Sequence, residues 1–245
     1  MFLSLPWFFQ IFLLVIYYSF RAFVVTGLFF YIFGTSWGKG RKVSARPYKP
    51  EQIKFEVIQT LKIFILDSLL LVGVIKIGLF KVVNLGFVNN VISFLLLFVW
   101  VEVTFYMTHR LLHKRALLPV HVTHHKSKVP SPLSGFTFSV AERLILFFNT
   151  MSLIVLADFL GHPLSMVGLQ TYFGVNIFLT VLGHTDLRIY PASWRNKPLL
   201  NYISDPPDHS LHHSHFSCNY GLFTNFLDKK FNTYRSPRGS ESSPS

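Results

Sequence analysis

Five long apolar runs, separated by short polar stretches, organise the chain. Phe2–Phe33 is apolar apart from Gln10 and Arg21, Leu61–Phe80 is interrupted by Asp67 and Lys76, and Val91–Thr108, Leu144–Leu160 and Leu164–Leu182 follow. A helix needs roughly 20 apolar residues to cross a bilayer core of about 30 Å. Each run therefore predicts a membrane helix, with Phe2–Phe33 read as one long tilted crossing. A turn around Asn84–Asn90 closes the second and third runs into a hairpin. Gly161-His162-Pro163 closes the fourth and fifth, with Pro near a helix start as its fixed φ favours. No alternation strong enough for a sheet is visible. The predicted fold class is all-α: an integral membrane helical bundle of about four to five transmembrane helices, with a cytosolic helical cap carrying histidine-rich segments.

Composition agrees, since half of the residues are hydrophobic and only 14% are charged. The formal net charge is +12, but the basic residues lie between apolar runs and form no basic helix or nucleic-acid motif. Contact with anionic lipid headgroups accounts for them better than nucleic acid does. Gly34–Lys54 carries Lys39, Arg41, Lys42, Arg46, Lys49 and Lys54, with Gly and Pro expected to break any helix there. The positive-inside rule places this loop in the cytosol. Five crossings from an outside N-terminus then bring His109–His125, His184 and His209–His215 to the same side. Cys218 is the only cysteine, which excludes an intrachain disulfide and a Cys-based zinc site. The first run has no positive n-region and no small-residue cleavage site, and reads as an uncleaved anchor. Ser236–Ser245 is polar and rich in Ser, and is expected to be disordered.

The histidines carry the candidate chemistry. His109 and His113 are four apart, His121, His124 and His125 stand at i, i+3, i+4, and His209, His212 and His213 repeat that spacing. On a helix each set falls on one face. A single interfacial His usually just faces headgroups, but two H-x-x-H-H segments and one H-x-x-x-H among eleven histidines are not a chance pattern. Neutral imidazole ligates zinc, copper, nickel and iron. With His184, where the last apolar run re-emerges, nine residues exceed the three or four ligands of one zinc and suit two ions with an open position. No Glu-x-x-His of the soluble di-iron bundles occurs, so the site is His-dominated. His215 lies two beyond His213 on another face, as a partner of the ligands, a substrate contact or a bystander. His162 lies in the turn on the opposite side of the bilayer. Asp67 is read as paired with a polar neighbour or near an interface, and most of the Phe residues as lipid-facing. Transport is disfavoured because every box lies outside the apolar runs. Haem held between facing spans is disfavoured because no run contains a His.

These residues resemble the fatty acid hydroxylase / sterol desaturase superfamily, whose three boxes HxxxH, HxxHH and HxxHH stand here as His109–His113, His121–His125 and His209–His213. The similarity runs from Glu102 to Arg235 and includes His184 and the ending FSCNYGLFTNFLDKKFNTY. Leu227 replaces the usual Trp of that ending and Asn232 the usual Gly. Asn219-Tyr220-Gly221 is similar to the C5 sterol desaturases. LHHSHFSCNYG and GHPL are similar to cholesterol 25-hydroxylase-like proteins.

The resemblance implies a membrane di-iron enzyme. Two Fe ions would be held at the cytosolic face by His109, His113, His121, His124, His125, His184, His209, His212 and His213. O2 would hydroxylate or desaturate a lipid C–H bond, with a sterol favoured over a fatty acyl chain or an ether lipid. Electrons would come from NAD(P)H through a separate carrier such as cytochrome b5, because no His-Pro-Gly-Gly segment of a fused one is present. Asn219, Tyr220 and Thr123 would orient ligand imidazoles, and Asp186 and Asp228 would accept hydrogen bonds from ligand N–H groups. Residues 1–54 would form an anchor and basic loop, 55–235 the catalytic domain and 236–245 the tail. The compartment would be the endoplasmic reticulum in a eukaryote and the inner membrane in a bacterium. A non-catalytic membrane metal-binding protein is the competing class, and oligomeric state stays open.

Overall fold

The structure, a computed structural model, describes residues 2–44, 47–81 and 83–237. Nine α-helices stand among them: α1 Trp7–Gly34, α2 Ser36–Lys39, α3 Pro50–Lys76, α4 Phe87–Leu112, α5 Leu118–His121, α6 Val140–Phe159, α7 Met166–Gly183, α8 Pro206–Ser214 and α9 Phe226–Lys230. Strand pairing among the described residues is limited to three isolated bridges, Lys42 with Leu187, Val83 with Ser165 and Ile203 with Thr224. The fold is all-α, as the apolar runs predict. Five helices, α1, α3, α4, α6 and α7, are long and apolar enough to cross a membrane.

Helix boundaries depart from the apolar runs in instructive ways. Pro50 does not interrupt a helix but starts α3, where its missing N–H leaves nothing unsatisfied. The helix thus begins eleven positions before Leu61. Within the basic loop, the Thr35 hydroxyl accepts from the Gly38 amide at 3.2 Å and caps the short α2. α4 runs past the apolar run to Leu112, so His109 sits inside a membrane helix in its last turn. Phe2–Phe33 resolves to one long helix rather than two. The turn at Gly161 has φ 80, a conformation that glycine adopts without strain. Arg46 and the tail beyond Pro237 lie outside the described residues.

The five long helices close a ring. α1 packs on α3 and α7, α4 on α7 and α6, and α6 on α3. Outward-facing side chains are large and apolar: Phe23 is 75% exposed, Phe87 80% and Phe159 85%. Polar groups turn inward, with Gln10, Glu56 and Ser68 fully buried. This is the reverse of a water-soluble protein and suits hydrocarbon contact, where a polar group without an internal partner costs several kcal/mol. Across α3 and α6 the Arg143 guanidinium donates to the Asp67 carboxylate at 2.6 Å, so Asp67 is paired as expected. Across α4 and α7 the backbones meet at Gly168, where an added Cβ would lie 2.5 Å from the Asn90 carbonyl and 2.7 Å from Ser93 Cβ. Small residues permit such close approach between membrane helices. Beside it the Ser93 hydroxyl accepts from the Ser165 amide at 2.9 Å. Replacing Gly168 by Leu is therefore expected to cost about 1–3 kcal/mol through overpacking. Thermal unfolding in detergent would show it as a lower melting temperature, and an unchanged one would contradict this contact.

Candidate metal centre

The histidine boxes gather where α4, α7 and α8 end. His109 lies in the last turn of α4 and His113 caps it, one turn on, with ring centroids 5.1 Å apart. His184 caps α7. The third box occupies α8, which opens with Pro206 and Pro207 and a capping box between Asp205 and Asp208. The second box is not one regular helix face: α5 ends at His121, and a 3-10 turn takes over from His124 to Lys126.

The nine rings form two groups, His109, His113, His121, His125 and His212 in one, and His124, His184, His209 and His213 in the other. Neither H-x-x-H-H box serves one group alone. Its i, i+4 pair stays together, as His121 with His125 and His209 with His213, while the i+3 member joins the other group. Adjacent residues in helical backbone are rotated about 100° from one another, so His124 and His125 diverge, as do His212 and His213. The expectation of one face per box is corrected to this division.

Within the groups the ring nitrogens are close. His109 Nε2 lies 3.0 Å from His121 Nε2, and His125 Nε2 lies 2.9 Å from His121 Nε2 and 3.2 Å from His113 Nε2. His209 Nε2 lies 2.9 Å from His184 Nε2 and 3.1 Å from His213 Nε2. Several Nδ1 atoms are committed elsewhere. The Nδ1–H groups of His109, His184 and His212 donate to the carbonyls of Tyr220, Thr180 and Cys218 at 2.9, 2.7 and 2.7 Å. His121 Nδ1–H donates to the Glu142 carboxylate at 2.6 Å. A neutral imidazole carries one N–H, so His109 and His121 face each other with two lone pairs and no proton between them. Two nitrogens about 2.0–2.1 Å from a shared ion at right angles would stand roughly 3 Å apart. The donor set and its spacing fit a metal cation.

Burial, the leading cause throughout, holds these rings below the ordinary imidazole range. The His113 and His184 rings are depressed to about 4 and the His125 ring to about 3. Those of His121, His124, His209, His212 and His213 fall further, helped by neighbouring imidazoles. Near neutral pH these rings are uncharged and keep a lone pair for a metal.

Carboxylates fasten the loops that carry the rings. Glu56 of α3 accepts from the Ser127 hydroxyl at 2.7 Å, from Gln52 at 2.8 Å and from the Ser131 hydroxyl, tying down the chain after the second box. Glu102 of α4 accepts from the amides of Phe223 and Thr224, both at 2.9 Å. Asp228 of α9 accepts from the amides of Tyr220 and Gly221 at 2.8 and 2.7 Å and from the Thr233 hydroxyl at 2.7 Å. Asp228 thus reaches His109 only through Tyr220, whose carbonyl is the acceptor, and does not take a ring N–H as expected. Asp186 accepts from the Ser44 amide rather than a ring. Asn219, at φ 57, holds the Asp208 carbonyl and the Arg235 backbone around α8. No hydrogen bond links Thr123 to a ring among the described residues. His215 is exposed beside Ser214, and His162 is exposed in its distant turn. Glu142, the direct partner of His121, is the residue that sequence reasoning missed.

A cavity of about 800 Å³ opens from His121, His124, His184 and His209 into the ring of helices. It follows α7 from His184 to Met166 between walls that include Phe64, Leu146 and Phe173.

This architecture defines a helical membrane protein with a two-part imidazole site at the mouth of an apolar cavity. The family model for fatty acid hydroxylase matches residues 94–233, more than half of the chain, and the chain belongs to the fatty acid hydroxylase family. Among curated relatives, very-long-chain aldehyde decarbonylase GL1-4 of Oryza sativa subsp. indica is 34% identical over 137 residues, covering 54% of this chain and 22% of its own length. Very-long-chain aldehyde decarbonylase GL1-7 of Oryza sativa subsp. japonica is 33% identical over 156 residues, covering 59% and 25%. Protein CER1-like 1 of Arabidopsis thaliana is 31% identical over 136 residues, covering 54% and 22%. The chain thus spans about a quarter or less of the length of these relatives. No solved structure gives a significant match.

Two outcomes follow from the geometry. Replacing Glu142 by Ala is expected to weaken metal binding about 10–100-fold, the usual effect of losing a carboxylate that orients a ligand imidazole. His215→Ala is expected to leave it unchanged, and competition with a chelator measures both. In the metal-free protein, His113 and His184 titrate near 6.5 when unfolded and near 4 when folded. The unfolded chain therefore takes up protons first as pH falls. Their stability contribution is full above about 6.5 and declines between about 6.5 and 4, which melting curves across that window would show.

Proposed function

We propose that the chain is a membrane-bound non-haem di-iron oxidoreductase that uses O2 to oxidise a C–H bond of a long aliphatic lipid. The observation that carries this reading is the convergence of two groups of uncharged imidazoles at the mouth of an apolar cavity. His109, His113, His121, His125 and His212 would hold one iron, and His124, His184, His209 and His213 the other. Bound iron supplies reduction of O2 and attack on an unactivated C–H bond. In hydroxylation, C–H, O2, two electrons and two protons become C–OH and water; in desaturation, two adjacent C–H bonds become an alkene and two waters result. The electrons come from NAD(P)H through a separate carrier such as cytochrome b5.

The chain's own residues do the rest. Glu142 fixes the tautomer of His121, and the carbonyls of Tyr220, Thr180 and Cys218 do the same for His109, His184 and His212. The apolar walls keep water from the reacting end. Residues 55–235 act as the catalytic unit, with the helix from residues 1–54 supplying one wall of the cavity. The boxes face the cytosol, in the endoplasmic reticulum of a eukaryote or the inner membrane of a bacterium.

The resemblance to sterol-oxidising members of the superfamily alone favours a sterol. Two observations support an extended chain instead: the cavity follows α7 through about five turns, and the relatives carry the name very-long-chain aldehyde decarbonylase. Those names also favour a second reading, removal of an aldehyde carbon from such a chain.

Metal analysis of the purified protein with lipid profiling of expressing cells tests the proposal. Iron near two per chain and one new oxidised aliphatic lipid are expected. His124→Ala and His213→Ala should each lower iron content and abolish the product; full activity with intact iron in either variant would overturn the assignment.

A further inference from the structure

The cavity wall is not uniformly apolar. Arg21 of α1, Asp67 of α3 and Arg143 of α6 all line it, and all three act electrostatically on Tyr18, so they share one region. Arg143 and Asp67 satisfy each other at 2.6 Å. Arg21 has the Tyr17 hydroxyl at 2.9 Å and the Tyr17 ring below its guanidinium, 4.9 Å from the centroid. No carboxylate pairs with it among the described residues. Glu142, the remaining acid on the wall, is bound to His121. Asp67 is taken by Arg143 and Glu142 by His121, so the Arg21 guanidinium is left inside a membrane helix without a carboxylate of its own among the described residues.

An ionised side chain at such depth is costly and marks a site of ligand or proton chemistry. The guanidinium presents a fork of donors that matches a carboxylate. From these observations we infer that Arg21 is the anchor for the carboxylate of a long-chain fatty acid, which lies in the cavity with its tail directed at the imidazole groups.

The geometry also sets a ruler. A Cβ added at Gly174 would lie 3.5 Å from Arg21 Nη2, so the guanidinium rests against α7 at that position. His184 lies ten residues further along, which is about 15 Å at 1.5 Å per helical residue. An extended chain of C–C bonds about 1.5 Å long, shortened by its zigzag, covers that span in roughly a dozen bonds. The carbon presented to the histidines is therefore about a dozen removed from the carboxylate. Arg21 and Gly174 stand on opposite sides of the family boundary at residue 94. The helix that precedes the family match thus chooses the ligand's polar end, while the matched part holds the reacting end. This inference rests on the oxidase reading only for that last step.

Binding tests it without turnover. Full-length protein in detergent is equilibrated with labelled octadecanoate, octadecanol, octadecanal or a phosphatidylcholine. The acid is expected to bind at least tenfold more tightly than the alcohol or the aldehyde. Arg21→Met should erase that preference and Arg21→Lys should keep part of it. A merely structural Arg21 would instead show as a lower melting temperature in Arg21→Met, with the preference for acid retained. Equal binding of acid and alcohol by the unaltered protein overturns the inference, as does tighter binding of the phospholipid. Should the acid bind through Arg21 and never be oxidised, the oxidase reading fails and the anchor stands. Should an alkyl chain be oxidised with no dependence on Arg21, the anchor fails and the oxidase reading stands. With both in place, product analysis should find the new oxygen or double bond about a dozen carbons from the carboxylate, in the distal half of octadecanoate.

Discussion

The structure depends on keeping unprotonated ring nitrogens about 3 Å apart. His109 and His121 point lone pairs at one another because their other nitrogens are already committed as donors. Such a contact is repulsive without a cation between the rings, so the spacing itself calls for a metal. Protonation would relieve the conflict by turning one nitrogen into a donor, but burial disfavours the charged form. The surrounding framework must therefore supply the order that the rings lack.

That framework is a set of acids placed on helices and aimed at loops. Glu102 and Asp228 each collect three hydrogen bonds from chain segments beside the boxes, and Glu56 collects two from the chain after the second box and one from Gln52 of its own helix. A carboxylate satisfied in this way in a low-dielectric setting is stiff, and losing a partner leaves a costly buried charge. Glycine completes the fit where side chains have no room. A Cβ at Gly221 would lie 2.1 Å from the Thr224 carbonyl, and one at Gly135 would lie 2.7 Å from Thr180 Cγ2, beside His184. Asn232, which stands where the family pattern carries Gly, adopts φ 57, a left-handed conformation that Gly and Asn tolerate better than other residues.

Membrane helices were legible because hydrocarbon thickness imposes a length and a composition on them. Their polar ends were not: α3 gains its first three turns from residues such as Glu51 and Gln52, which no hydropathy run includes. Eight of the nine rings were legible from spacing and His184 from its place at the end of the last apolar run, and the structure brings all nine into two neighbouring groups. Their division was hidden because the i, i+3, i+4 pattern looks like one face, while the 100° step between adjacent residues separates the last two. Glu142 was hidden for a different reason. Ser139 lies three positions before it and caps α6 by accepting from its amide at 3.1 Å, so the pair reads as an ordinary capping box. The same side chain serves as the His121 acceptor, and only the fold reveals that second use.

The His124-His125 and His212-His213 dipeptides link the two imidazole groups through a single peptide bond each. A trans peptide holds the two Cα atoms of each pair about 3.8 Å apart, so the backbone of one group cannot be displaced without carrying the other with it. The two halves of the site are therefore one mechanical piece, joined by the chain itself as well as by packing.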